Sequence, residues 1–316
     1  MSLLNFTSLD FDQIKETLKQ YLQSNSNFTD YDFEGSNLST ILDVLAYNTY
    51  ITSYNANMIS NEVFIDSATL RENVVALARN IGYVPRSRKA SNMSVNFTVE
   101  PGITPPPTTI TLKKGPVAAS NAFGGQSFVF GVTKDVTKPV IDGVASFLDL
   151  DVKEGTVVDQ KFPYSTNNIG QRFILSNAGI DLSTLEVYVR PSATSSLLSS
   201  YTRQDSLFDA VTGSSITKDS LIYYIQEIED EQYELIFGDG IFGKELSDGN
   251  IVEVSYILSN GSDGNGISNL SFAGKCTYTR NAVENTITSG ISIVTANIPS
   301  TGGDEIESVD SVKKFA

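Results

Sequence analysis

The sequence has no histidine, and this absence excludes a large part of enzyme chemistry. A Ser-His-Asp triad or a Cys-His pair needs an imidazole as its general base. The commonest zinc and non-haem iron sites need histidine ligands. What remains open is chemistry based on carboxylates, chemistry based on lysine, or no catalysis.

Cysteine is almost absent as well, and tryptophan is missing entirely. The single Cys276 excludes an intrachain disulfide and any metal site built from several cysteines. Its neighbours in Lys275-Cys276-Thr277-Tyr278-Thr279 alternate in a pattern typical of a strand. We therefore expect a half-buried structural thiol at this position rather than a nucleophile.

Basic residues are scarce, because 22 Lys and Arg stand against 37 Asp and Glu, giving a formal net charge of −15. This balance opposes sequence-independent binding to nucleic acid, which needs a basic surface to displace counterions. It also opposes docking on anionic lipid. No apolar run approaches the ~18 residues of a membrane span. We expect neither direct nucleic-acid contact nor membrane insertion, and the acidic surface suits partners with basic faces.

The apolar residues of the first ninety positions recur at helical spacing and predict three helices. The first helix has Asp10 as its cap and Phe11, Ile14 and Leu18 along one face. The third helix is expected to begin at a cap formed by Asp66 or Ser67. Gly82 and the following Pro85 end it.

The second and longest predicted helix carries two groups of candidate interface residues. Its apolar face contains Leu38, Ile41 and Leu45. An aromatic stripe of Tyr47, Tyr50 and Tyr54 follows on the same helix. Such residues are consistent with an internal core, or with a partner-binding face, since tyrosine is enriched in protein interfaces.

After residue 90 the pattern changes from helical spacing to alternation, which predicts strands separated by Gly, Asn and Asp turns. Leu182 to Phe208 contains Ser- and Thr-rich sequence that is compatible with a surface excursion. The predicted fold is α+β and multidomain: an N-terminal helical module followed by antiparallel β-rich domains that resemble sandwiches or barrels. The predicted strands lie at residues 94–99, 109–112, 127–132, 147–152, 172–175, 185–189, 221–228, 233–237 and 251–258.

Two nucleotide-binding motifs overlap at residues 237–244, Phe-Gly-Asp-Gly-Ile-Phe-Gly-Lys. The segment matches G-x-G-x-x-G and most of a P-loop, but either motif needs a helix directly after its glycines to hold phosphate. Here a second turn at residues 247–250 and an alternating strand follow. The P-loop Ser or Thr is replaced by Glu245, whose carboxylate would repel phosphate. We therefore expect no cofactor at this segment.

The glycines instead predict a strand, a glycine-rich turn and a second strand. Glycine serves such turns because it adopts positive φ and allows close approach of two chain segments. The residues assigned to this structural glycine turn are Gly238, Asp239, Gly240, Gly243 and Gly249.

Three charged or polar clusters in the sequence are possible sites. Acidic residues crowd residues 227–234, where paired carboxylates could act in a glycosidase or simply mark a solvated hairpin tip. The basic run at residues 86–89 fits a solvated linker or a contact with an acidic neighbour. Residues 259–266 are rich in calcium-type ligands but lack EF-hand spacing, which favours a flexible turn. We assign no catalytic and no metal-binding residue.

Three separated segments resemble one family. The first is Asp-Tyr-Asp-Phe-Glu-Gly-Ser at residues 30–36, which leads into the second predicted helix. The second is Phe-Gly-Asp-Gly at residues 237–240, continuing to Gly-Asn-Gly at residues 264–266. The third is Gly-Gly-Asp-Glu-Ile-Glu-Ser at residues 302–308. Their order and spacing resemble wedge subunits from the baseplates of contractile-tailed, T-even-like phages, and the wider baseplate-J-like family.

This resemblance implies a structural protein and not an enzyme. Such subunits surround the central hub in six-fold symmetry and rearrange to trigger sheath contraction. The implied partners are other baseplate wedge proteins, the sheath-initiating subunit and further copies of the same chain. The implied location is the virion tail baseplate, after assembly in the cytoplasm of the host bacterium. The alternatives are a β-rich tail adhesin that binds host glycan, and a carboxylate-based glycosidase of a tail.

The resemblance also suggests a division of the chain. We expect a helical N-terminal module at residues 1–90, a β domain at 91–165 and a second β domain with the baseplate-J-like signature at 166–290. Residues 291–316 would link to a further C-terminal helical region, so we expect the sequence to be the N-terminal portion of a longer polypeptide.

Overall fold

The computed structural model describes residues 10–24, 37–121, 125–204, 216–292 and 294–316. The chain forms two compact units. One, the helical unit, combines Met1–Pro85 with Ser308–Ala316, and the other, the β unit, is Arg86–Glu307. The β unit is therefore inserted between two parts of the helical unit. The predicted α+β class, with a helical N-terminal region and antiparallel β-rich sheets after it, is confirmed.

The helical unit contains the three predicted helices and a short fourth helix. Their bounds are α1 Phe11–Gln23, α2 Asn37–Glu62, α3 Arg71–Asn80 and α4 Val309–Phe315. As predicted, Asp10 caps α1, because its carboxylate accepts the backbone N–H of Gln13 at 3.0 Å. Such a cap satisfies one of the donors that the first turn of a helix leaves open.

The start of α3 differs from the prediction that Asp66 or Ser67 caps it. The helix begins at Arg71, and Leu70 stands at its N-cap without a side-chain bond. Glu62, the last residue of α2, supplies the acceptor instead. Its carboxylate accepts the N–H groups of Thr69 at 2.8 Å and Leu70 at 3.3 Å. Because this acceptor belongs to the preceding helix, the residues at the start of α3 do not indicate it.

The small core of the helical unit joins α3 to α4. Ala68, Val74 and Ala78 are buried together with Val312 of α4. Ser308 caps α4 by accepting the N–H of Ser311 at 3.3 Å. Helix α4, which follows the β unit in sequence, thus completes the core of the helical unit, whose other helices precede the β unit.

The β unit contains seventeen strands in the described residues, arranged in three sheets. The first eight are β1 Asn92–Val99, β2 Thr109–Leu112, β3 Gly115–Ser120, β4 Val129–Val132, β5 Val136–Pro139, β6 Ala145–Glu154, β7 Thr156–Pro163 and β8 Phe173–Leu175. The others are β9 Ile180–Arg190, β10 Ser199–Arg203, β11 Ile222–Glu227, β12 Tyr233–Phe237, β13 Ile251–Leu258, β14 Leu270–Phe272, β15 Cys276–Arg280, β16 Val283–Ile287 and β17 Thr295–Ala296.

Two of the sheets share one core. The six-stranded sheet has the order β14-β3-β4-β6-β1-β17, and the four-stranded sheet has the order β16-β15-β2-β5. Their alternating apolar side chains form a single buried cluster that includes Val95, Ile110 and Phe130. Phe97 and Phe147 stack within it, with ring centroids 4.8 Å apart. Alternation along each strand directs one face inward, as in other packed sheets.

The third sheet is seven-stranded, in the order β7-β13-β9-β10-β11-β12-β8, and has its own core around Tyr256 and Leu235. All its strands are antiparallel neighbours except β10 and β11, which pair in parallel. Within the described part of Leu182 to Phe208, the prediction of a surface excursion holds only for residues 191–198, which link β9 to β10 and are largely exposed. The strands on either side of this link, β9 and β10, occupy inner positions of the sheet.

The two β cores divide the sequence differently from the predicted domains. The seven-stranded sheet runs continuously from β7 to β13, whereas the other two sheets take strands from before and after it. For example, Leu270 of β14 pairs with Ser120 of β3. The predicted boundary after residue 165 would place β7 in the first β domain, apart from the other strands of its sheet. Strand pairing over such distances is not visible in local alternation, which is why the predicted boundary misses it.

Candidate functional site

Helix α2 carries almost no charge, since Asp43 and Glu62 are the only charged residues among its 26, and its uncharged residues mix Leu, Ile and Tyr with Asn, Ser and Thr. The apolar side chains of a helix are normally packed against a neighbouring element. Within the described residues, however, α2 buries only Leu42, Ala46, Asn57 and Asn61. Helix α1 packs against α2, and Lys15 of α1 forms an ion pair with Asp43. The described residues thus leave most of the apolar surface of α2 uncovered.

Four of the six candidate interface residues lie on that uncovered surface. Ile41, Leu45, Tyr47 and Tyr54 each have between 46% and 61% of their surface exposed. Leu38 and Tyr50 are half-buried. The exposure of the first four excludes them from the core of the helical unit. Their role in an interface stays a prediction.

The exposed residues form two stripes along α2. Ile41 and Leu45 are one turn apart on one side, and Ile59 continues that side. Tyr47 and Tyr54 are two turns apart on another side. We call these five residues the α2 face. The predicted interface residues do not include Ile59, nor the exposed Val44, Met58, Val63 and Phe64. The near-absence of charge along α2 was the signal that could have identified those within the helix, Val44, Met58 and Ile59.

The second candidate site is the glycine turn, which lies in the loop between β12 and β13. Gly240, Gly243 and Gly249 have φ of 80°, 92° and 80°, a left-handed region that favours glycine. Gly238 has a different reason to be glycine. A Cβ atom there would lie 2.2 Å from the carbonyl carbon of Gly243, so only glycine allows the two chain segments this close approach.

Hydrogen bonds inside the protein occupy the amide groups of this turn. The Asp239 carboxylate accepts the N–H groups of Phe242 at 2.8 Å and Ile241 at 2.9 Å, and these bonds lower the pKa of Asp239. Gly240 donates its N–H to the carbonyl of Gly243 at 3.1 Å. Gly243 donates to the carbonyl of Thr217. A phosphate-binding loop needs such N–H groups free, and here a carboxylate already takes two of them.

The acidic residues at 227–234 and the thiol of Cys276 lie in surroundings that indicate structural roles. The acidic residues at 227–234 surround the hairpin turn between β11 and β12. Glu234 in that hairpin receives two bonds of 2.7 Å from the Arg172 guanidinium. Cys276 is buried in β15, and burial raises the pKa of its thiol to about 11. In the part of the chain that the structure describes, no cluster of three acidic or thiol side chains could hold a metal ion.

The basic run at residues 86–89 contacts an acidic neighbour. Lys89 and Asp304 exchange two backbone hydrogen bonds of 2.9 Å, which pair the segment entering the β unit with the segment leaving it. Arg86 forms an ion pair with Asp304 at 2.8 Å, and Arg88 forms one with Glu305 at 3.1 Å. Partly exposed pairs of this kind contribute little energy individually. The backbone pairing brings together two segments that are far apart in sequence.

Residues 259–266 form a turn, but the turn is packed rather than flexible. Glu154 at the end of β6 is fully buried and accepts bonds from the Ser259 hydroxyl at 2.7 Å and the Asn260 N–H at 3.1 Å. The side-chain amide of Asn260 donates a further bond of 2.9 Å. The carbonyl of Gly264 accepts the hydroxyl of Ser91 at 2.8 Å. These bonds connect β6 of one core to the segment that follows β13 of the other.

Comparison with known proteins addresses both units. Residues 10–83 match the family model described as the helical domain of gp6-like baseplate wedge proteins. In an alignment of 285 residues that covers 85% of the chain, the sequence is 27% identical to baseplate wedge protein gp6 of Enterobacteria phage T4. The chain is similar to a baseplate wedge protein. The resemblance predicted from the sequence is thereby confirmed.

The similarity to the T4 wedge protein extends beyond the helical unit, because 285 residues cannot fit within it. The chain spans 41% of the length of that relative. Of the three segments that carried the resemblance, residues 30–36 lie outside the described residues. The other two lie in the glycine turn and at the paired exit of the β unit. Among the described helices, none is both long and apolar enough to span a membrane.

Proposed function

We propose that this chain is a structural subunit of the baseplate wedge in a contractile phage tail. The similarity to the T4 wedge protein over 85% of the chain carries the proposal. It is supported by the family match of residues 10–83. A wedge subunit functions by assembling with its neighbours and rearranging when the sheath contracts.

The α2 face is the surface that we propose for assembly. Exposed apolar stripes on a helix with almost no charge favour a bundle with helices of other chains. The proposed occupants are other wedge proteins, the sheath-initiating subunit or further copies of this chain. Association would bury apolar surface that this chain leaves in water, which is the main driving force for such contacts.

The β unit suits a subunit that moves as a rigid piece during contraction. The buried Glu154 ties its two cores together, and the segments at residues 86–92 and 301–307 pair where the chain enters and leaves the unit. Rearrangements that trigger large assemblies commonly rotate rigid pieces between alternative packings. We place the subunit in the tail baseplate of the virion, with assembly in the cytoplasm of the host bacterium, and propose no enzymatic activity.

No observation favours the two alternatives. A glycosidase needs one carboxyl group that is free to act as an acid and another that can act as a nucleophile or base. In the acidic hairpin, Glu234 is held by Arg172. A glycan-binding adhesin commonly uses aromatic platforms, and the strongest of these, tryptophan, is missing from the sequence.

The proposal is tested by variants of the α2 face in the native particle. Tyr54→Ala combined with Ile41→Ser should lower the amount of the protein in purified tails while leaving its melting temperature unchanged. Val283→Ser, which removes an exposed apolar side chain from β16, is the matched control and should assemble normally. Early melting of the α2 variant would assign those side chains to a core. Absence of the unaltered protein from tails would refute the baseplate role.

A further inference from the structure

One end of the seven-stranded sheet exposes three large apolar side chains on two adjacent loops. Ile169, in the loop between β7 and β8, is 96% exposed. Ile241 and Phe242, in the glycine turn, are 68% and 47% exposed. The loops are joined, because the Asp248 carboxylate accepts the N–H of Thr166 at 3.0 Å. Single exposed apolar residues are ordinary, whereas several on loops that are joined to each other favour a binding site.

The glycine turn holds its two apolar side chains in a fixed arrangement. The Asp239 carboxylate binds the backbone N–H groups of both Ile241 and Phe242. Lys244 lies at the base of the turn and donates its N–H to the carbonyl of Ser220 at 2.8 Å. This bond fixes the turn to the segment just before β11. A loop that is ordered before binding loses little conformational entropy when it docks. The hydrogen bonds therefore prepare the exposed pair for contact.

A groove of about 320 Å³ beside the turn is acidic and partly aromatic. Its aromatic lining comes from Tyr164, Phe173 and Phe237. Within the described part of the chain, its charged lining residues are the carboxylates Glu234, Asp239 and Glu245. Arg172 already neutralises Glu234. Asp239 and Glu245 therefore give the groove its negative charge.

We infer that Ile169, Ile241 and Phe242, which we call the loop tip, dock into an apolar pocket of another protein whose rim carries lysine or arginine. A basic side chain from that rim would enter the groove, between carboxylates and over aromatic rings, where charge-assisted and cation–π contacts are both available. The same carboxylates oppose an anionic membrane surface. The inference rests on the proposed function, since the partner would be another subunit of the same tail.

Site-specific photocrosslinking in the native tail tests the contact directly. A benzophenone amino acid replaces Phe242 in the full-length protein, and the same probe at Ile298, an exposed apolar residue outside the two loops, is the control. We expect position 242 to link to one peptide of another tail protein that contains apolar residues beside lysine or arginine. Position 298 should not link to that peptide. Linkage to lipid or glycan, or no linkage, would overturn the inference.

A double variant, Ile241→Ser with Phe242→Ser, separates this inference from the proposed function. Because both side chains are exposed, the melting temperature should not change. Its amount in tails should fall about tenfold in competition with the unaltered protein, a loss typical of one strongly contributing interface side chain. Equal incorporation would refute the docking role alone, whereas absence of the unaltered protein from tails would refute the wedge assignment.

Discussion

At the residue scale, the glycines of the turn between β12 and β13 meet two different requirements. Gly249 has φ of 80° and open space where a Cβ atom would lie. Gly238 lacks that left-handed conformation, but the backbone of Gly243 occupies the Cβ position. The sequence indicated glycines for a turn without separating these causes. Substitution separates them, because asparagine tolerates the left-handed region whereas no side chain fits into occupied space.

We predict that Gly238→Ala and Gly238→Asn each destabilise the β unit by about 1–3 kcal/mol or more, the usual effect of overpacking. Gly249→Ala should cost about 1 kcal/mol for left-handed strain, and Gly249→Asn should cost less. Urea unfolding followed by tyrosine fluorescence measures all four. Native stability of Gly238→Asn would show that the close approach of the two segments is not required.

Glu62 is the residue for which the structure predicts a pH dependence. Burial raises the pKa of its carboxyl group, but hydrogen bonds from Asn73, Thr69 and Leu70 outweigh burial and lower the pKa to about 2. A lowered pKa means that the ionised form stabilises the folded state. This stabilisation is fully present above pH 4.5, the ordinary value, and is lost as the pH falls towards 2.

We therefore predict that the helical unit of the unaltered protein loses stability between about pH 5 and pH 2, and that Glu62→Gln loses less. The variant should be the less stable protein at pH 7 and should approach the unaltered protein near pH 2. Circular dichroism at 222 nm during urea unfolding at each pH measures the difference. Parallel pH profiles would contradict the capping role of Glu62.

At the scale of secondary-structure elements, the sequence predicted what depends on local pattern. The strands β2, β12 and β13 have the predicted bounds, and Asp10 caps α1 as expected. The cap of α3 was missed because its acceptor, Glu62, belongs to α2. The strand β14 was missed because only three residues pair with β3, from which it is far removed in sequence. Alternation carries no information about partners at such distances.

For the candidate sites too, the local sequence predicted part of the result and the three-dimensional structure was needed for the rest. Composition identified the apolar residues of α2, and the structure was needed to find which of them are exposed. The sequence identified the glycine turn but gave no reason to single out Ile241 and Phe242. The structure alone shows the hydrogen bond from Ile241 to Asp239 and the contact with the neighbouring loop.

The contact between β6 and the turn after β13 yields a prediction at this scale. Glu154→Ala would leave the hydroxyl of Ser259 and two donors of Asn260 without their buried acceptor. Ser259 is buried, so its unsatisfied hydroxyl would cost about 1–3 kcal/mol, whereas Asn260 is exposed and its donors can bond to water. We expect a destabilisation of about 1–3 kcal/mol, measured as a lower urea midpoint. Asp263→Ala, which removes an exposed carboxylate from the same turn, should change stability by less than about 0.5 kcal/mol.

At the scale of the whole molecule, the two units suit different tasks. The β unit encloses its own cores and joins them by buried polar contacts. The helical unit has a small core and leaves a nearly uncharged helix in water. A protein that functions alone gains nothing from such a helix, whereas a subunit can bury it on assembly. The similarity to a baseplate wedge protein agrees with this division of tasks.

The most direct test of the wedge assignment is a cryo-EM reconstruction of the tail baseplate from the particle that contains this protein. We predict that the chain lies in the wedge, with Ile41, Leu45, Tyr47 and Tyr54 of the α2 face buried against a helix of another chain. A baseplate without this chain would contradict the assignment. A baseplate in which the α2 face remains in solvent would contradict the proposed mode of assembly.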